Sequence, residues 1–188
     1  MRKCEALIIG GSAGSLDIIL KLLPDLRTDL NFPIIIVLHR KSGRSSMLTD
    51  LLSARTKLKV KEIEEKEEIK SATIYLAPPS YHLLLENDRT FSLDASEKIN
   101  FSRPSIDVTF ESAAEIFKEN LVCLLLSGAN SDGTLGLDAV TKTGGKTAIQ
   151  DLKSATSPFM PQNALENVTI DEILEPKNMA NFINNLGR

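Results

Sequence analysis

The chain has 188 residues, 42% of them hydrophobic, with few aromatics and no tryptophan, enough for one independent core, so residues 1–188 are read as a single domain. A formal net charge of −3, with the basic residues scattered, gives no electrostatic case for nucleic acid or an anionic membrane as partner. Only about four strongly apolar residues separate the N-terminus from the first glycines, too few for a signal-peptide core or a membrane span; no membrane insertion and a cytoplasmic location are expected.

The first apolar run, residues 7–9, breaks at Gly10-Gly11, presents Ser12 and passes after Gly14 into an amphipathic stretch over 16–26. Gly10-x-Ser12-x-Gly14 has the spacing of a nucleophile elbow, in which a strand-turn-helix holds a serine strained and exposed and glycine tolerates the crowding on either side. The N–H groups at the start of the following helix would meet an oxyanion formed at that serine. A phosphate-cradling loop or a purely structural turn are the other readings. The dinucleotide pattern fits poorly: the chain reads Gly10-Gly11-Ser12-Ala13-Gly14-Ser15, its next strand ends in Leu38-His39 rather than an acid, and there is no Walker lysine.

The apolar run 34–38 is the next strand, and His39 ends it. A serine nucleophile needs a base, and the chain holds two histidines, His39 and His82. In a parallel sheet His39 lies at the carboxyl edge where the first strand delivers Ser12; the plain alternative is a histidine capping a strand at the surface. A helix is expected over 45–55. The charged run 57–70 alternates over 59–63 and reads as a solvated strand edge and turn without chemistry. Residues 73–93 read as strand, Pro78-Pro79 turn, strand, Glu86-Asn87-Asp88-Arg89 turn, strand: a small antiparallel insert against the parallel body. His82 begins one of its strands and ranks second as a base, as a structural or rim residue.

A helix over 105–119 leads to the strand 121–126, which runs into Gly128-Ala-Asn-Ser-Asp132-Gly133 and a helix over 133–143. Asp132 there could orient His39 and stabilise its imidazolium. Ser131 and Asp132 are equally ordinary N-cap residues for the helix 133–143, and both roles can coexist. Turn chemistry falls at Pro24, Pro33, Gly144-Gly145 and Pro161, and a last helix at 177–186. Cys4 and Cys123 have no second ligand at metal spacing and read as small core hydrophobes. The βαβ rhythm predicts an α/β fold: a doubly wound, mostly parallel sheet with helices on both faces.

With Ser12, His39 and Asp132 at three strand ends of one sheet edge, the chain resembles the catalytic domain of chemotaxis-receptor methylesterases, the CheB family. The resemblance is carried by Ile8-Ile-Gly-Gly-Ser-Ala-Gly14, Val37-Leu-His39, Tyr75-Leu-Ala-Pro78, His82, Arg103-Pro-Ser-Ile-Asp107, Leu126-Ser-Gly-Ala-Asn-Ser-Asp-Gly133, Ala148-Ile-Gln-Asp151 and Met160-Pro161. It implies hydrolysis of glutamate methyl esters on a methylated chemotaxis receptor or similar helical signalling protein, with glutamine deamidation as a second activity and no cofactor. It places the nucleophile on Ser12, the base on His39, the orienting acid on Asp132 and the oxyanion donors on the N–H groups of Ala13 and Ala129; His82 is expected to help engage substrate.

Three stretches depart from the family pattern. Ser12-Ala-Gly-Ser15 stands for Ser-Thr-Gly-Gly, Leu38-His-Arg-Lys41 for Gln-His-Met-Pro, and Gly128-Ala-Asn130 for Gly-Met-Gly. Arg40 and Lys41 are expected to form a charged rim that docks an acidic helical surface. The receiver domain usual in the family has no counterpart in this sequence, so control by that route in cis is not expected, and a separate regulatory protein could gate the site. Two other functions are distinguishable: a silent family member would bind partners without turnover, and a nucleotide- or phosphate-binding module would be thermally stabilised by nucleotides and unreactive to serine-directed probes.

Overall fold

The computed structural model describes residues 3–40 and 45–187. Seven strands form one parallel sheet: β1 (Ala6–Gly11), β2 (Ile34–Leu38), β3 (Lys59–Glu62), β4 (Thr73–Leu76), β7 (Leu121–Leu125), β8 (Lys146–Gln150) and β9 (Glu172–Leu174), in the order β3-β4-β2-β1-β7-β8-β9. A separate antiparallel pair, β5 (His82–Leu85) and β6 (Phe91–Asp94), is the expected insert. The residues 73–76, expected within that insert, instead pair parallel with β2 and β3.

Strand alternation divides the apolar residues between the two faces. Leu7 and Ile9 of β1, Ile34 and Ile36 of β2, and Val122 and Leu124 of β7 share one core with Ile19 and Leu22 of α1 (Ser15–Leu22), Leu52 of α2 (Ser45–Ser53), and Met179 and Ile183 of α6 (Pro176–Asn184). Ala6, Ile8, Ile35, Val37, Cys123 and Leu125 face the other way. They pack on Ile106 and Phe110 of α3 (Ile106–Phe117), Leu137 and Val140 of α4 (Thr134–Lys142), and Met160 and Ala164 of α5 (Phe159–Asn167). Burying each such side chain is worth about 1.5–3 kcal/mol, and two-sided burial explains why the central strands are unbroken apolar runs.

The sequence signals miss α5, β8 and β9. Pro161, expected between elements, sits in the first turn of α5, where a missing N–H costs no helical hydrogen bond. The stretch expected as one helix over 16–26 ends its α-helical part at Leu22 and continues as a 3-10 turn, Leu23–Asp25, around Pro24. Cys4 and Cys123 are both buried and unpaired by disulfide, and burial pushes the Cys4 thiol up to about 12. No helix among the described residues is long and apolar enough to cross a membrane.

Candidate active site

β1 has β2 on one side and β7 on the other, so the residues following these three strands meet at one edge of the sheet. The register pairs Gly11 with Leu38, and the His39 N–H donates to the Gly11 carbonyl at 3.2 Å, so Ser12 and His39 leave their strands side by side. On the other flank the Ser12 N–H donates to the Ser127 carbonyl at 2.9 Å, and a Cβ added at Gly128 would stand 3.0 Å from the Ser12 Cβ. Ser12 is half-buried, and the strain expected at it lies elsewhere: the left-handed residue of this turn is Gly14, at φ 81°, the N-cap of α1. The Ser12 carbonyl accepts from the Ser15 hydroxyl at 2.6 Å and from its N–H at 3.1 Å, closing the turn into α1.

His39 Nε2 lies 2.6 Å from Asp132 Oδ2, with the histidine side chain 12% exposed and the aspartate fully buried. An ionised carboxylate only accepts, so Nε2 carries the proton in the neutral ring and Nδ1 keeps the lone pair. Among the described residues Nδ1 meets the Ser102 hydroxyl at 3.4 Å, too long to commit that nitrogen. Ser102 in turn accepts from Asn130 Nδ2 at 3.2 Å. Ser102 closes a two-residue turn in which Asn100 and Phe101 are both left-handed, at φ 49° and 61°.

Asp132 does not cap the helix that follows it. The N-cap of α4 is Gly133, at φ 97° and without a side-chain cap. The Asp132 carboxylate turns to α3 instead: Oδ2 accepts the Ile106 N–H at 2.7 Å, and Oδ1 accepts the Asp107 N–H at 3.0 Å and the Ser105 hydroxyl at 2.9 Å. It therefore sits at the positive end of α3, where helix N–H groups lack internal partners and favour an anion. Burial works against its charge, but the His39 ring and the Asp107 and Ile106 N–H groups outweigh it and hold the carboxyl below the ordinary range.

Asp107 makes the converse contact. Its Oδ1 accepts the Gly133 and Gly136 N–H groups of α4, each at 2.8 Å. Burial, with the neighbouring Asp132 charge adding to it, pushes the Asp107 carboxyl up to about 7 despite those N–H donors. Two nearby buried carboxylates resist ionising together, and the proton goes to the one without a histidine partner.

The remaining expected residues divide. His82 is buried rather than at the rim: its Nε2 bonds the Glu97 carbonyl at 2.8 Å and its Nδ1 accepts the Ser105 N–H at 3.1 Å, leaving no ring nitrogen for substrate. Arg40 folds inward onto Glu62 Oε2 at 2.7 Å and the Ala77 carbonyl at 3.0 Å instead of forming a free charged rim, and Lys41 lies outside the described residues. Ala13 and Ala129 are exposed on either side of Ser12. The Ala13 carbonyl accepts the Ser127 hydroxyl at 2.7 Å, and Gly128 is pinned by the Ser157 carbonyl at 3.0 Å and by the Met160 N–H at 2.9 Å. Neither the Ala13 N–H nor the Ala129 N–H donates to a protein atom among the described residues.

Sequence reasoning missed the roles of Ser102, Ser105, Asp107 and Asn130. Only Ser105 had a usable local signal, as the serine before the helical run, and it does cap α3, accepting the Val108 N–H at 3.4 Å. A cleft of about 570 Å³ opens beside His39, lined by Arg40, Ser80, Lys98, Phe101, Ser102 and Arg103. Phe101 stands 97% exposed at its mouth. Among the described residues no three His, Cys, Asp or Glu side chains are grouped to hold a metal ion.

Comparison with known proteins matches residues 7–183 to the family model described as CheB methylesterase. A Leptospira interrogans protein named "Putative protein-glutamate methylesterase/protein-glutamine glutaminase" is 44% identical over 176 residues, covering 94% of this chain and 91% of that protein. The protein-glutamate methylesterase/protein-glutamine glutaminase of Thermotoga maritima is 36% identical over 176 residues, covering 90% of this chain and 50% of its own length. The crystal structure of the Thermotoga maritima CheB methylesterase catalytic domain superposes with a TM-score of 0.93 at 32% identity, covering 98% of this chain and 99% of that one.

Proposed function

Because this chain belongs to the CheB methylesterase family, we propose that it hydrolyses methyl esters of glutamate side chains on chemotaxis receptors, and deamidates glutamine at such sites, with Ser12 as nucleophile. The observation that carries the reading is the 2.6 Å contact between His39 Nε2 and Asp132 Oδ2 beside the strand end that bears Ser12. We infer that residues 1–188 form one catalytic domain.

His39 Nδ1 accepts the Ser12 proton as Oγ adds to the ester carbonyl, and the buried Asp132 charge stabilises the imidazolium that forms. The new oxyanion meets the N–H groups of Ala13 and Ala129, which lie at the α1 turn and the β7 turn and have no partner to give up among the described residues. Collapse returns the proton from His39 to the leaving methoxide, releasing methanol, or to the leaving amine, releasing ammonia. Water activated by His39 then cleaves the glutamyl ester on Ser12 and frees the glutamate carboxylate. Backbone donors do not depend on side-chain identity, so the alanines at positions 13 and 129 are compatible with this chemistry.

Methanol release from methyl-esterified receptor helices tests the proposal. Turnover by the unsubstituted chain and none by Ser12→Ala is the expected result. Tight binding of the methylated helices without methanol would instead make this a silent member of the family.

A further inference from the structure

The two helices beside the site exchange caps. Asp107, in the first turn of α3, holds the N-terminal N–H groups of α4 at Gly133 and Gly136, whereas Asp132, in the turn before α4, holds those of α3 at Ile106 and Asp107. The exchange needs close helices, and Gly136 allows it: a Cβ there would lie 2.5 Å from the Phe110 Cβ and 3.1 Å from the Asp107 Cα. The other Asp107 oxygen accepts Asn100 Nδ2 at 3.3 Å, from the turn that brings Ser102 to His39. Asp107 touches neither Ser12 nor His39, yet its bonds end on the turn carrying Asp132 and on the turn facing His39 Nδ1.

We infer that Asp107 is a positioning residue for hydrolysis, fixing the Asp132 carboxylate against His39 through the exchanged helix caps. The inference rests on the roles given above to Ser12, His39 and Asp132. Without the Asp107 acceptor, two buried N–H groups at the start of α4 lose their partner, and only the bonds of the Asp132 carboxylate itself still tie its turn to α3. Charge acts along the same route. The titratable groups around the pair are His39 at the end of β2, buried His82 on β5 and exposed Glu111 on α3, whose carboxyl is itself raised by burial and by the Asp132 charge. Protonation of Asp107 at about 7 therefore switches a charge behind Asp132 within the neutral range.

The test measures methyl ester hydrolysis against pH, with melting temperatures, for the unsubstituted chain and for Asp107→Asn, Asp107→Ala, Ser12→Ala and His39→Gln. Asp107→Asn keeps an oxygen for Gly133 and Gly136 and resembles the protonated carboxyl, so its rate should match that of the unsubstituted chain below about pH 7 and fall behind it above, where the unsubstituted chain gains the Asp107 charge that stabilises an imidazolium. Asp107→Ala loses the tie as well, and kcat falls by about 100-fold with little change in KM, the cost of roughly an ångström of misplacement. As a control, Asp171→Asn removes a carboxylate that accepts the Thr147 N–H at 2.8 Å near the far edge of the sheet, and leaves the pH profile in place while lowering stability.

Should both Asp107 variants fail to fold, proton NMR of the unsubstituted chain decides. With two histidines in the chain assignment is direct, and the His39 ring signal should show a second inflection near pH 7, from Asp107. A single-step His39 titration, or an Asp107→Asn profile superimposable on the unsubstituted one while Ser12→Ala and His39→Gln are inactive, overturns the role of Asp107 alone. Retained hydrolysis in Ser12→Ala overturns the centre on which that role depends.

Discussion

His39 Nε2 and Asp132 Oδ2 stand 2.6 Å apart although 93 positions separate the two residues in the chain. The pairing leaves Nδ1 as the proton acceptor, the reverse of the serine protease arrangement, in which Nδ1 faces the aspartate. Nitrogen-15 shifts of the neutral ring should accordingly report the Nε2–H tautomer. An Nδ1–H tautomer at neutral pH would remove the proposed route for the serine proton.

Asp132→Asn should damage both fold and reaction. Among the described residues His39, Ser105 and the Ile106 and Asp107 N–H groups all stand as donors to the Asp132 carboxylate, so an amide NH₂ must face either Ile106 N–H and His39 or Ser105 and Asp107 N–H. The mismatch costs about 1–3 kcal/mol in a buried site, and the loss of charge and tautomer control lowers kcat by up to about 10⁴-fold. Urea denaturation and turnover per folded molecule measure the two effects separately. Had Asp132 merely capped α4, Asn would have served nearly as well.

Stability should carry the signature of the two aspartates in opposite directions. The folded Asp107 carboxyl titrates at about 7, above the ordinary value, so between roughly pH 4 and 7 the folded chain holds a proton that the unfolded chain has lost, and stability from this group falls as pH rises. The depressed Asp132 carboxyl does the converse: its contribution is present above the ordinary carboxylate range and is lost as pH falls through its lower folded value. Asp107→Asn should thus gain stability relative to the unsubstituted chain as pH rises from about 4 to about 7, and the gain should stop growing above that. Melting curves across this range check it; a constant difference between the two proteins would show that Asp107 ionises normally.

Gly136→Ala should be destabilising in spite of helix propensity. Alanine gains about 1 kcal/mol over glycine inside a helix, but its Cβ would meet Phe110 at 2.5 Å and the Asp107 backbone at 3.1 Å, so the net cost should be about 1–3 kcal/mol. Hydrolysis should fall with it, because widening α3 from α4 moves Asp132. Leu135→Ala, one residue earlier and 63% exposed, should change stability by no more than about 0.5 kcal/mol. Chemical denaturation of both variants makes the comparison.

The central strands, the Ser12 turn and the His39 strand end were legible because each depends on residues within a few positions: an unbroken apolar run, glycines around a serine, and one histidine where the run stops. β8 and β9 were not, because Lys146-Thr147 and Glu172 dilute short runs in the last two strands on one side of the sheet. The nearness of Asp132 to His39 was legible, but its helix was the wrong one. Local rules give an aspartate before a helix to that helix, whereas the exchange with Asp107 exists only after α3 and α4 pack. Arg40 shows the same limit: its sequence neighbours suggest a free rim charge, and Glu62 on β3 captures it across the sheet edge.

Labelling with a small serine-directed phosphonate, mapped by mass spectrometry, tests most directly whether Ser12 is a nucleophile activated by His39 and Asp132. One adduct on Ser12 is expected, absent in Ser12→Ala, slowed by orders of magnitude in His39→Gln, and declining as pH falls and the imidazole takes up a proton. An adduct on another serine, or undiminished Ser12 labelling in folded His39→Gln, would contradict it.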